Sequence, residues 1–215
     1  MNWRIPRSRW GTHLVASVLM ASAVALGTAE LAANAQDDQE SSTITPPRVP
    51  ANIQVPAGNK VFLVGHAVGT QNYVCLPSGT GFNFVLFTPQ ATLFSDHDKQ
   101  ITTHYFSPNP FEGGTIRATW QHSRDTSTVW GETIQSSSDP NFVAPGAIPW
   151  LLLQRVGAKD GPSGGDTLTA TTFIQRLNTS GGVAPSTGCS SSTNVGNQAF
   201  VPYTADYFFY KRARR

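Results

Sequence analysis

The sequence predicts an all-β domain, either an antiparallel β-sandwich or a flattened barrel, with about ten short strands and long loops. From residue 53 onward the chain consists of short apolar or alternating runs that are rich in Val, Ile, Thr, Phe, Tyr and Trp. These residue types favour strands. Segments rich in Gly, Ser and Pro separate the runs and supply the turn conformations that strand reversals need. Beyond residue 35 we find no stretch with sustained helical periodicity.

Each run is expected to form one strand. The predicted strands are 61–68, 71–76, 83–87, 92–94, 101–106, 115–121, 128–133, 150–156, 168–177, 199–201 and 206–210. Polar and apolar residues alternate along 115–121, so one face of that strand should meet water. Residues 150–153 (Trp-Leu-Leu-Leu) do not alternate, and we expect them to be buried on both faces.

The first 35 residues have the pattern of a cleavable secretory signal peptide. Arg4, Arg7 and Arg9 give a positive start, and the uncharged run 14–26 follows. A membrane-spanning helix needs roughly 20 apolar residues, so this run is too short for a comfortable span and suits a signal peptide. Residues 33–35 (Ala-Asn-Ala) fit the cleavage site. We expect cleavage after Ala35 and a secreted or periplasmic protein; the alternative is an uncleaved N-terminal anchor.

Cleavage defines the expected domain organisation. Residues 1–35 are the signal peptide, 36–52 a flexible leader that is first acidic and then rich in Ser, Thr and Pro, 53–210 a single β domain, and 211–215 a basic tail. From a chain of 215 residues, enough remains for one domain with its own core. We expect no stable membrane span after cleavage.

The charge balance argues against a nucleic-acid partner. The full chain has 15 Lys and Arg against 13 Asp and Glu, but the signal peptide removes three Arg and Glu30, which leaves 12 of each sign. Nucleic-acid binding requires a basic stripe, and the tail 211–215 reads as a solvated end instead. The segment 65–69 (Gly-His-Ala-Val-Gly) lacks the G-x-G-x-x-G spacing of dinucleotide-binding loops. No cofactor is predicted.

The two cysteines, Cys75 and Cys189, are expected to form a disulfide bond. In an exported protein two cysteines most simply pair with each other. A reactive thiol pair is the alternative, but the sequence contains no C-x-x-C motif.

A polar cluster supplies the candidate catalytic residues. The main candidates are His104, Asp96 and Glu112. With His97, Asp98 and His122 they combine carboxylates and imidazoles that are suited to acid–base chemistry or to metal binding. Their spacing matches no fixed metal-ligand signature, so we predict no metal site. The alternative is that His104 is a structural histidine within a strand.

The candidate binding residues are Arg176, Tyr207 and Tyr210. Arg176 lies where an alternating strand enters a Gly-rich turn, and its guanidinium is suited to a carboxylate ligand. The alternative is a buried arginine that satisfies loop carbonyls. In 207–210 (Tyr-Phe-Phe-Tyr) both faces of a strand carry rings, so one pair is either covered or exposed for stacking on a sugar or another ligand.

Several segments together resemble one family. They are 73–75 (YVC), 103–108 (THYFSP), 148–153 (IPWLLL), 174–185 (IQRLNTSGGVAP) running to Cys189, and 201–210 (VPYTADYFFY). The chain resembles, over roughly residues 53–210, the exported and uncharacterised family called domain of unknown function 3455, found in bacteria and fungi. The resemblance implies no established activity and no catalytic residue. It implies a built-in disulfide, because both cysteines lie in family-like segments.

Three hypotheses about function follow. The first is a non-catalytic binding module for an envelope glycan or a small ligand. The second is a hydrolase or metal-dependent enzyme that uses His104 with Asp96, Asp98 or Glu112. The third is a structural envelope or coat protein. Convergence of His104, Arg176 and the aromatic row on one pocket would favour the first two.

Overall fold

The computed structural model describes residues 44–214, which form a closed antiparallel barrel of eight strands. The strands are β1 (Asn59–Ser78), β2 (Gly81–Phe94), β3 (Gln100–Asn109), β4 (Thr115–His122), β5 (Thr128–Ser137), β6 (Trp150–Lys159), β7 (Thr171–Gly181) and β8 (Gln198–Arg212). Each strand pairs with the next along the chain, and β8 pairs with β1 to close the barrel. The all-β prediction is therefore confirmed, in its barrel form. The predicted signal peptide and its cleavage site lie outside the described residues.

Eight strands replace the predicted ten or so because three pairs of runs are continuous. The runs 61–68 and 71–76 both belong to β1, and β2 and β8 likewise each contain two predicted runs. Gly69 lies between the two runs of β1 and reads as a strand breaker. A side chain at Gly69 would overlap the Gln90 carbonyl and Ala91 of β2, so this glycine allows a close approach of two backbones and does not end the strand.

The barrel interior is filled mainly by apolar and aromatic side chains from alternate positions of the strands. Its fully buried members include Leu93, Trp120, Ile174, Tyr207 and Phe209. Successive residues of a strand point to opposite faces, so every second residue enters a barrel. This interior is the main core of the protein.

A second apolar cluster covers the outer face of β6, β7 and β8. It contains Trp150, Leu152, Leu177, Phe208 and Tyr210, whereas Leu151 and Leu153 pack with the interior. The prediction that 150–153 is buried on both faces is therefore confirmed. Further apolar residues complete the cluster from outside the barrel strands: Ile44, Val49, Ile53, Val55, Phe142 and Val143. Residues 44–52, the described part of the predicted leader, thus contribute apolar side chains to this cluster.

Cys75 and Cys189 form the predicted disulfide, with their Cα atoms 5.4 Å apart. The bond joins β1 to the long loop that leads into β8. Backbone hydrogen bonds run alongside it, from the Cys75 N–H to the Asn197 carbonyl and from the Gly196 N–H to the Cys75 carbonyl. No helix among residues 44–214 is long and apolar enough to cross a membrane.

Candidate functional site: a cavity inside the barrel

The barrel wall has a gap between β2 and β3, which we call the seam. The β2–β3 ladder ends at the pair Ala91–His104. In the same register the next hydrogen-bonded pair would be Pro89–Phe106, but proline has no N–H to donate. The Phe106 N–H instead donates to the Thr88 Oγ1 at 3.0 Å. The two strands therefore separate at Pro89.

An internal cavity and an external groove meet at the seam. The cavity has a volume of about 150 Å³, and the groove on the outer side has a volume of about 750 Å³. Pro89, His104 and Phe106 line both. The seam is therefore the place where the internal cavity and the outer groove adjoin.

Six of the eight strands contribute a side chain with a polar atom to the cavity lining. These are Gln71 of β1, His104 of β3, Trp120 of β4, Thr133 of β5, Arg176 of β7 and Tyr207 of β8. The remaining wall is apolar and consists of Leu86, Pro89, Phe106, Ala118, Leu151 and Leu153. The lining contains no carboxylate.

Strand register brings these side chains together. His104 lies directly opposite Trp120 in the β3–β4 ladder, and their rings stack with centroids 4.3 Å apart and planes inclined by 6°. Arg176 lies opposite Tyr207 in the β7–β8 ladder and opposite Leu151 in the β6–β7 ladder. Directly opposed residues share a face of the sheet, and these residues share the inner face because they line the cavity.

His104 is neutral in this setting. It is 4% exposed, and burial lowers the pKa of its imidazole to about 3. The hydrogen bond to the Thr119 carbonyl opposes this shift, and the Arg176 charge adds to it. Its Nδ1 lies 2.9 Å from the Thr119 carbonyl oxygen. Since a carbonyl only accepts, Nδ1 carries the proton and Nε2 keeps its lone pair as an acceptor.

Arg176 brings a positive charge to the cavity. Its Nε and one terminal nitrogen donate to the Pro149 carbonyl, at 3.2 and 2.8 Å, so it does bind a loop carbonyl. Among the described residues the ion pairs involve His66, Arg117 and His122, and none includes Arg176. A guanidinium stays charged at any ordinary pH. The cavity therefore carries a cation without a carboxylate partner.

Two buried N–H donors at the cavity have no hydrogen-bond acceptor within residues 44–214. They are the Gln71 Nε2 and the Trp120 Nε1, on side chains that are 2% and 0% exposed. The Tyr203 and Tyr207 hydroxyls lie 3.3 Å apart nearby. Burial raises the pKa of Tyr203, and Tyr207 raises it further. The Gln71 amide is close enough to oppose this rise in part, but its N–H does not form a hydrogen bond of ordinary geometry with the Tyr203 hydroxyl. Buried donors of this kind are uncommon in folded proteins and call for an explanation.

Of the residues that the sequence singled out, His104, Arg176 and Tyr207 come together on the cavity. Tyr210 lies on the opposite face of β8 within the outer cluster, where its hydroxyl donates to the Gln175 Oε1. The aromatic row 207–210 is therefore buried on both sides, and none of its rings is free to stack on a ligand from outside.

The carboxylates that the sequence combined with His104 have other partners. Asp96, in the β2–β3 turn, lies 2.8 Å from the His66 Nε2. Glu112 receives hydrogen bonds from Arg117 and Asn109. Neither Asp96 nor Glu112 lines the cavity. Within residues 44–214 no three His, Cys, Asp or Glu side chains are grouped so that they would hold a metal ion.

Sequence reasoning missed Gln71, Trp120 and His66. His66 lies between two carboxylates, with its Nδ1 2.7 Å from Asp206 and its Nε2 2.8 Å from Asp96. Partial burial disfavours the charged imidazole, but the two carboxylates outweigh this effect and raise the pKa of His66. None of these roles has a local sequence signal, because each depends on strands that are distant along the chain.

The fold and the cavity define an all-β barrel protein with an internal space of ligand size. The family model described as "Protein of unknown function (DUF3455)" matches residues 56–211. The chain therefore belongs to this family, which confirms the resemblance noted from its sequence motifs. No curated protein and no solved structure matches the chain.

Proposed function

We propose that this protein is an exported, non-catalytic binding protein that holds a small ligand inside its barrel. The observation that carries the proposal is the set of unpaired polar groups on one cavity. Leaving a buried donor unsatisfied costs about 1–3 kcal/mol. Two such donors and a cation without a carboxylate partner around a single cavity are costly to the fold, and a ligand with acceptor atoms would remove this cost.

The size of the cavity supports a small ligand. A volume of about 150 Å³ is comparable to cavities that hold one benzene ring, and it is below the range of sites for drug-sized molecules. The groove outside the seam has room for a substituent. A surface glycan site is less well supported, because Tyr207 and Tyr210 are 1% and 8% exposed.

The proposal that the protein is not a catalyst rests on the surroundings of His104. General acid–base catalysis needs a group that titrates near the working pH and can reach the substrate. The pKa of His104 is lowered to about 3, and the cavity lining offers it no carboxylate. These features argue against a role for His104 as a general base.

Export is proposed from two features. The first 35 residues have the pattern of a signal peptide, and the disulfide Cys75–Cys189 is of the kind that persists in oxidising compartments.

The proposal is tested by a thermal-shift screen of single-ring compounds against the wild-type protein and a variant with a filled cavity. Thr133 lines the cavity but is itself exposed, so Thr133→Trp should block the space without disturbing the core. We expect compounds that raise the melting temperature of the wild type to have no effect on this variant. Thr115→Trp, at an exposed position of β4 away from the cavity, is the control and should respond like the wild type. A screen without any hit, or hits that persist in Thr133→Trp, would overturn the proposal.

A further inference from the structure

We infer that the ligand is a small carboxylate with a single ring, and that its carboxylate group lies against Arg176. This inference rests on the proposed function and specifies the chemical class of the ligand.

The charge of the cavity favours an anion. Arg176 supplies a full positive charge, no carboxylate lines the space, and no ion pair with Arg176 exists among the described residues. The other titratable groups that face it stay neutral, since burial lowers the pKa of His104 and raises that of Tyr207. A charge in a partly desolvated site acts more strongly than in water. A cation or a second basic group would be repelled.

Hydrogen-bond capacity leads to the same class of ligand. The cavity offers N–H donors from Gln71 and Trp120 that have no partner. The five N–H donors of Arg176 include some beyond the two bonded to Pro149. A carboxylate has two oxygens that accept about four hydrogen bonds in total, so it can use all three side chains. An amine or ammonium ligand would instead add donors to a site that already has an excess of them.

The walls distinguish an organic acid from an inorganic anion. The rest of the lining includes Leu86, Phe106, Leu151 and Leu153, which gain nothing from phosphate or sulfate. An apolar ring fills this part of the space and buries its surface, which is favourable by about 25 cal/mol per Å². The volume of about 150 Å³ limits the ligand to one ring.

Isothermal titration calorimetry with benzoate and benzamide tests the inference, because the two probes have nearly the same shape and differ in charge. We expect benzoate to bind the wild-type protein at least about tenfold more tightly than benzamide, since hydrogen bonds to charged groups are worth more than neutral ones. In Arg176→Gln this preference should disappear, because benzoate binding weakens far more than benzamide binding. Inorganic phosphate serves as a third probe and should bind more weakly than benzoate.

Arg155→Gln is the matched control. Arg155 also follows a glutamine in a strand and also donates to a loop carbonyl, that of Thr169, but it does not line the cavity. This variant should keep the full preference for benzoate. Arg176→Lys provides a second variant if Arg176→Gln folds poorly. It keeps the positive charge but loses the planar guanidinium and its paired N–H donors, so it should retain part of the preference for benzoate over benzamide.

The outcomes separate the ligand class from the function. Equal binding of benzoate and benzamide, a preference for benzoate that survives in Arg176→Gln, or phosphate binding tighter than benzoate would each overturn the carboxylate inference. If neutral compounds bind the wild type and Thr133→Trp blocks them, the proposed function stands while the carboxylate inference fails. If no compound of any charge binds, both fail.

Discussion

At the scale of single residues, the burial of His104 makes the stability of the fold depend on pH. His104 is neutral in the fold, with a pKa of about 3, whereas in the unfolded chain it titrates near 6.5. Between these values the unfolded state binds more protons than the folded state, so the contribution of neutral His104 to stability is lost as the pH falls through this window. His66 acts in the opposite sense: its pKa is raised, so the stability it contributes is lost as the pH rises through that value.

We predict that His104→Asn flattens the acid dependence of stability. The asparagine amide can still donate to the Thr119 carbonyl, but it no longer titrates. The free energy of unfolding in urea, measured between pH 6.5 and about pH 3, should fall less steeply than in the wild type, although the variant is less stable near neutral pH because it loses the stacking on Trp120. His97→Asn, at an exposed site in the β2–β3 turn, should keep the wild-type slope. An unchanged slope in His104→Asn would contradict this account.

At the scale of elements, one proline determines where the wall opens. Pro89 lies in β2 at the position where the β2–β3 ladder stops, because it cannot supply the next hydrogen bond. The other ladder of β3 extends further, since β3 pairs with β4 from Thr102 to Asn109. The end of pairing at the seam is therefore set on the β2 side.

We predict that Pro89→Val narrows the seam. The new N–H can donate to Phe106 and extend the β2–β3 ladder by one pair. Hydrogen exchange in peptides that cover residues 86–92 should slow. The association rate constant of any compound that binds the cavity should fall, and it should fall by a larger factor than the affinity of that compound does. Pro108→Val changes an exposed proline of β3 and should leave both rates unchanged. Faster association in Pro89→Val would show that ligands do not enter at the seam.

At the scale of the whole molecule, the disulfide spans most of the barrel along the chain. Cys75 and Cys189 are 114 residues apart, and a crosslink over roughly 100 residues stabilises a protein by about 4–5 kcal/mol in the chain-entropy model, often less in practice.

We predict that the double variant Cys75→Ser, Cys189→Ser loses roughly 2–5 kcal/mol of unfolding free energy in urea. Adding a reductant to the wild type should lower its stability to that of the variant, and a reductant should not affect the variant. If the variant matches the oxidised wild type, the bond contributes nothing to stability.

The sequence predicted the strand content, the disulfide and the family, because these follow from local residue patterns. It did not predict that runs separated by Gly69, Pro89 and Pro202 are continuous strands, since glycine and proline locally resemble breaks. His104 and Arg176 were candidates from their residue types alone. His104 and Arg176 line one cavity with Gln71 and Trp120 because the barrel closes and because the ladders have a particular register. The residue pattern of a single strand encodes neither of these.

The ladders of β1 with β2 and with β8 are long, whereas the β2–β3, β4–β5 and β6–β7 ladders are all short. Local opening of a protein begins where hydrogen bonds and packing are fewest, so the seam is one of the places where this barrel can open. A ligand that bridges Gln71, Trp120 and Arg176 would connect strands on both sides of that weak point. Occupancy and folding would then be thermodynamically linked, and the amount of folded protein would depend on the supply of its ligand.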